Sequence, residues 1–302
     1  MLFSLLLLAC TGSGSEQNGA PKSSEKMVYS LSFPVQFLVQ SVGAGVVTSN
    51  CVLPIGEDAA HWTPSPETIS TLQQADLIVA NGAGFEAWTK TASLPMSKGI
   101  ELSSSLELIQ TEGGTHSHGK GGEHSHGEVD PHTWADPLLY KEQALQVHEA
   151  LIGLFPQETD KLDKNLKALQ EEITSLSVRY KEALAPLKEI KLASNHPSYA
   201  YLARSYGLDI YSFDFDPSSP PQSAALAKFA IWSSGMQKPV LLWEDEPADT
   251  AKSVFPEYTL HVYIDPLEQP KDGQSYDYLV QAEQNIQRFK TLTEQLEEPN
   301  AQ

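Results

Sequence analysis

The chain has 302 residues, enough for two domains and a sizeable buried core. Its 39 acidic residues outnumber 20 basic ones, and the formal net charge of −19 opposes nucleic-acid binding while drawing cations toward the surface, over a screening length of about 10 Å. Beyond the first residues no apolar run approaches the roughly 20 residues of a membrane helix, so the body of the chain is expected to be soluble.

The first ten residues, MLFSLLLLAC, form a short apolar run, and Leu7-Leu8-Ala9-Cys10 resembles the lipobox of bacterial lipoproteins. That resemblance implies cleavage before Cys10, a lipid on its sulfur, and anchorage on the extracytoplasmic face of a membrane. None of residues 1 to 9 is basic, whereas a signal peptide opens with positive charge; a start upstream of Met1 would supply it. Residues 10–26 then read as a flexible tether rich in Ser and Gly. With Cys10 acylated, only Cys51 remains, which excludes an internal disulfide and fits a small buried hydrophobe in a strand.

Apolar runs bounded by turn residues give eight candidate strands: 27–32, 46–52, 76–80 and 99–102 in the first half, and 190–194, 208–213, 240–243 and 260–264 in the second. Helical patterns fall between them, so the fold class is α/β: two (β/α)4 lobes with mainly parallel sheets. The lobes are expected at 27–156 and 187–302. Between them, Leu162, Leu166, Leu169, Ile173, Leu176 and Tyr180 step by four and three, which predicts one long, rigid linker helix over 157–186, on the order of 40 Å in length. A coiled-coil dimer segment is the alternative, but fewer than four heptads are present. A monomer is expected. A terminal helix is expected over 276–296, packing Leu279, Ala282, Ile286 and Phe289.

Five of the nine histidines lie between 116 and 132. His116, His118, His124 and His126 form two H-x-H pairs in the Gly-rich stretch 113–128, which reads as a mobile loop holding additional metal weakly; a solvated polar loop is the bland alternative. In open α/β sheets ligands bind beyond the carboxyl ends of strands. Four potential metal ligands fall there: His61, His132, His196 and Asp265, two from each half. Three imidazoles and one carboxylate suit Zn2+, whereas Mg2+ and Ca2+ prefer oxygen shells. Each His taken alone is more often a surface or hydrogen-bonded residue, and Asp265 before Pro266 could simply open a turn. Glu246 or water could stand in for Asp265 as fourth ligand.

At these residues the chain resembles the solute-binding proteins of high-affinity zinc and manganese ABC transporters. The resemblance covers roughly 27–298 and rests on the stretch 52–88 around His61, on DPHTWADP around His132, on NHPSYAYLARSYGL around His196, and on YIDPL around Asp265. It implies two (β/α)4 lobes, a metal site between them, and delivery of the ion to an ABC permease and its ATPase. His at the third position and a His-rich segment before the second ligand imply zinc, with manganese or another divalent metal as the alternative. Ala60 stands where some zinc-binding members carry an acidic residue. A zinc hydrolase and an adhesin-like or storage module are the competing classes. The first lacks an H-E-x-x-H helix and a general base placed by motif.

Overall fold

The computed structural model describes residues 26–111, 115–118, 122–125, 129–271 and 274–298. In the N-terminal lobe, β1 (Val28–Ser30), α1 (Phe33–Val42), β2 (Ser49–Cys51), α2 (Pro66–Gln73), β3 (Leu77–Ala80) and β4 (Gly99–Glu101) build a parallel sheet of order β2-β1-β3-β4. A two-stranded antiparallel ribbon follows, β5 (Thr115–His118) and β6 (Gly122–Ser125). Two helices, α3 (Pro137–Leu154) and α4 (Thr159–Leu184), then lead into the second lobe. There β7 (Lys191–Ser194), α5 (Ala200–Tyr206), β8 (Asp209–Ser212), α6 (Ser223–Trp232), β9 (Val240–Trp243), α7 (Asp249–Lys252), β10 (Leu260–Tyr263) and α8 (Tyr278–Glu297) give a second parallel sheet of order β10-β9-β7-β8. All eight strands read from the sequence are present. The parallel alternation of strands and helices follows from runs such as LIVA in β3 and VLLW in β9, buried at every position and therefore covered on both faces.

Helix starts are written locally. Ser65 accepts from the Thr68 N–H ahead of α2, Asp136 from Leu138 ahead of α3, and Asp277 from Val280 ahead of α8; the first two are followed by Pro at the first helical position. The long helix matches its predicted stripe: Leu162, Leu166, Leu169, Ile173, Leu176 and Tyr180 are all buried. It is not a bare strut. α4 packs on α3, α8 and α1, and its apolar face belongs to a single core that runs from Val28 in the first sheet to Leu242 and Leu292 in the second lobe. Two smaller cores close the far faces of the sheets, one around Leu31, Leu72 and Trp88, the other an aromatic group of Phe213, Phe215, Phe229, Trp243 and Phe255.

The stretch 113–128 departs from a featureless loop. Its described backbone pairs as β5 and β6, with His116 opposite His124 in register. Cys10 with the tether up to residue 25, and His126, lie outside the described residues, and of His116, His118 and His124 only the backbone is described.

Candidate metal centre

His196 lies two residues beyond the end of β7, where Asn195 prolongs the sheet by donating to the Leu242 carbonyl at 2.9 Å. Its ring is buried, 1 % exposed. Across the cleft, His132 is equally buried, and the two imidazoles meet edge to face with centroids 5.9 Å apart. His132 belongs to the first lobe and His196 to the second, so the pair lies where the two lobes meet.

The His132 ring is fixed on several sides. Asp130 Oδ1 stands 2.7 Å from its Nδ1 and also accepts its backbone N–H at 2.8 Å. Phe85 and Trp134 pack against the ring. The surrounding turn is held by a buried polar group: Asn81 donates to the Pro131 carbonyl at 2.9 Å and accepts from Thr133 Oγ1 and Gln143 Nε2, both at 3.0 Å. Behind Phe85, buried Glu86 accepts from Ser32 Oγ and from the N–H groups of Asn81 and Gly82; burial raises its pKa, and these donors oppose that rise.

On the open side of His132, Nε2 faces Glu268 Oε1 at 3.4 Å. Burial disfavours charge on the imidazole, but Asp130 and then Glu268 override it and push the pKa up to about 10. Glu268 was not among the residues singled out from the sequence. It is carried toward His132 by an unusual backbone: Leu267, with its side chain buried, adopts φ +63°, a left-handed conformation that Leu rarely takes.

Asp265 lies two residues beyond β10, at the carboxyl end of the strand as expected, but its carboxylate is engaged within its own lobe. Oδ1 accepts the Leu267 N–H at 2.8 Å, Oδ2 accepts Gln281 Nε2 at 3.1 Å, and Lys271 Nζ stands 3.8 Å from Oδ1. The loop after it is anchored by Trp134 Nε1 to the Pro266 carbonyl at 2.9 Å, and the strand end by Tyr199 Oη to the Ile264 carbonyl at 2.6 Å. His61 sits in a tight turn whose N–H groups, at His61 and Trp62, donate to the Asp58 carbonyl; its Nε2 is 3.7 Å from Asp58 Oδ2. Glu246, the other candidate for the fourth place, is exposed and its N–H donates to Asp245 Oδ1. Glu244, by contrast, touches both flanks of His196, through Asn195 Nδ2 and Ser198 Oγ at 3.4 Å each.

The structure thus brings together His132, His196 and Glu268, with Asp130 behind them, and sets His61 on the adjoining loop. Among the described residues no three His, Cys, Asp or Glu side chains already stand in a geometry that matches metal coordination. Asp130, Asn81 and Gln143 were legible only as the D of DPH and as unremarkable polar residues.

The profile of one protein family matches residues 28–292: ZnuA, the periplasmic component A of a zinc-uptake complex. The high-affinity zinc uptake system protein ZnuA of Bacillus subtilis (strain 168) is 25 % identical over 261 residues, covering 82 % of this chain and 81 % of the relative. The zinc-binding lipoprotein AdcA of Streptococcus pneumoniae (strain ATCC BAA-255 / R6) is 24 % identical over 309 residues, covering 97 % of this chain but 60 % of its own longer length. Manganese also appears among the names of matching relatives. The crystal structure of the metal-dependent lipoprotein YcdH from Bacillus subtilis superposes with a TM-score of 0.77 at 19 % identity, over 88 % of this chain and 98 % of that one, which establishes the shared two-lobed fold.

Proposed function

The chain belongs to the family of ZnuA, periplasmic zinc-uptake component A, and from that premise we propose that it captures Zn2+ outside the cytoplasm and hands it to an ABC permease with its ATPase. The observation that carries the reading is the buried His132–His196 pair drawn from both lobes, with Glu268 at the His132 Nε2.

The ligand set is His61, His132 and His196 with one carboxylate from the loop after β10. Asp265 occupies that loop, but both its oxygens are already accepting hydrogen bonds and Lys271 stands beside it; Glu268 is the better fourth ligand. Asp130 accepts a hydrogen bond from the Nδ1–H of His132, and this tautomer presents Nε2 as a lone-pair donor to the ion. Zn2+ then takes the place that a proton on Nε2 otherwise fills between His132 and Glu268. Three imidazole nitrogens favour zinc over manganese, which suits oxygen-rich shells.

Cys10 carries the lipid in this reading, and the receptor works as a monomer. His116, His118, His124 and His126 serve as auxiliary weak ligands that gather zinc. Calorimetry with Zn2+ and Mn2+ tests the proposal on wild type and on His196→Ala. One tight zinc equivalent, weaker manganese, and loss of the tight equivalent in the variant are expected. Deleting residues 113–128 should remove only weak equivalents. Manganese binding tighter than zinc, or tight zinc retained by His196→Ala, would refute it.

A further inference from the structure

Gln269 follows Glu268 directly, and its side-chain amide crosses to the first lobe. Nε2 donates to the Glu57 carbonyl at 2.6 Å, and Oε1 accepts the Gly56 N–H at 3.3 Å. One amide uses both its halves on two consecutive residues, so it fixes the orientation of the two loops as well as their distance. The clasped segment is the approach to the His61 turn. Gly56 has φ +84°, a conformation that glycine takes without strain, and Ile55 beside it is 71 % exposed, so between the buried anchors Leu53 and Ala59 the tip of this stretch makes little apolar contact.

On its own side, Gln269 is firmly backed. Its carbonyl accepts Gln281 Nε2 from α8 at 2.8 Å, and the same amide donates to Asp265 Oδ2 at 3.1 Å. Asp265 in turn holds the N–H of left-handed Leu267. The chain of contacts therefore runs from α8 through Asp265 and Gln269 to the backbone four residues before His61, with Glu268 inside it.

We infer that Gln269 is a positioning residue for ion retention, locking the His61 loop to the Glu268 loop so that ligands from positions 61 and 268 are held as one unit; this rests on the reading of His61 and Glu268 as zinc ligands. Without the clasp, the His61 loop keeps its own turn and the buried Ala59 but loses its tie to the Glu268 loop, and the cost of aligning the two loops appears as faster release. Gln269 touches no ion itself. Its effect is transmitted through backbone positions, which sets it apart from a fourth or fifth ligand.

The test uses the full chain loaded with Zn2+, with release followed by chelator competition, and parallel Co2+ loading to read coordination from the visible bands. Gln269→Met keeps the length and removes both hydrogen bonds; Gln269→Glu keeps an acceptor for Gly56 and sets a carboxylate against the Glu57 carbonyl. Release is expected to accelerate about tenfold in the Met variant, the order expected for two modest hydrogen bonds, and at least as much in the Glu variant. The cobalt bands should change in intensity, while the melting temperature of the metal-free protein stays at its wild-type value. Unchanged release and cobalt bands in Gln269→Met overturn the inference, as does a fall in metal-free melting temperature large enough to account for the whole effect. His61→Ala and Glu268→Gln are run alongside. If both retain tight zinc, the ligand assignment itself fails and takes this inference with it; if both lose it while Gln269→Met is silent, the inference alone is overturned.

Discussion

Asp130 Oδ1 lies 2.7 Å from His132 Nδ1 and binds the same residue's backbone N–H at 2.8 Å, so one carboxylate oxygen fixes both the orientation of the ring and the turn that carries it. A histidine held this way has its other nitrogen committed to the cleft.

Replacing Asp130 with Ala should therefore weaken zinc binding by about 10- to 100-fold, the range typical for loss of a carboxylate that orients a ligating His. Asp130→Asn, which can still accept from the His132 N–H, should fall between the two. Competition with a chelator of known affinity measures it. Equal affinity in all three proteins would show that the contact orients nothing.

In the proposed site Glu268 binds the ion and Asp265 holds its loop, and substitutions at the two should separate these roles. Glu268→Gln is expected to lower zinc affinity at least tenfold with little change in the stability of the metal-free protein, because Glu268 is partly exposed and an amide of the same size still reaches His132. Asp265→Ala is expected to cost about 1–3 kcal/mol in urea unfolding of the metal-free protein, since it leaves the Leu267 N–H and the Gln281 amide without their acceptor. The opposite pattern would restore Asp265 as the ligand.

His261 supplies an acid-sensitive term that is independent of the ion. Burial, and then the charge of Lys252, lower its pKa to about 4, and Trp243 Nε1 donates to its Nδ1 at 3.0 Å. A histidine depressed in the folded state binds its proton more readily when unfolded, so its contribution is fully present above about pH 6.5 and is lost as pH falls toward 4. Urea unfolding of the metal-free protein at pH 7.5 and 4.5 should show a loss that is smaller in His261→Gln, where an amide oxygen can still accept from Trp243. An identical pH dependence in the two proteins would contradict the assignment.

Ile173 is fully buried on the inner face of α4. Ile173→Ala should destabilise the protein by about 2–5 kcal/mol. Because the core around Ile173 is continuous with both sheets, both lobes should melt together at the lower temperature. Calorimetry resolving two transitions, only one of them shifted, would show that the lobes are thermally independent.

Periodicity and turn residues were enough for the eight strands, the linker helix and the terminal helix, because each buries a face whose spacing is visible in the chain. α3 was not singled out: Tyr140, Ala144, Val147 and Leu151 are buried, but so are Gln143 and His148, and this mixture hides the stripe. Glu268 was missed for a conformational reason. A Leu at position 267 gives no hint of a left-handed backbone, and the residue that follows this turn is the one that faces His132. The clasp by Gln269 was equally hidden, since its partners are backbone atoms more than 200 residues away and carry no side-chain signature. Asp130 precedes His132 by two residues and could have been inferred as its support, as a neighbouring acid that reaches back to the ring.

The continuity of the core through α4 also bears on unloading. A protein whose halves share one interior cannot open widely without drawing Leu162, Ile173 or Tyr180 into water, a far larger penalty than detaching a loop from an ion. Cargo must therefore leave by loosening the short segments beyond the strand ends, each tethered at one side to a sheet that stays put. The frame is the conserved quantity of the cycle and the rim is its moving part, so whatever receives the ion has only to grip the rim.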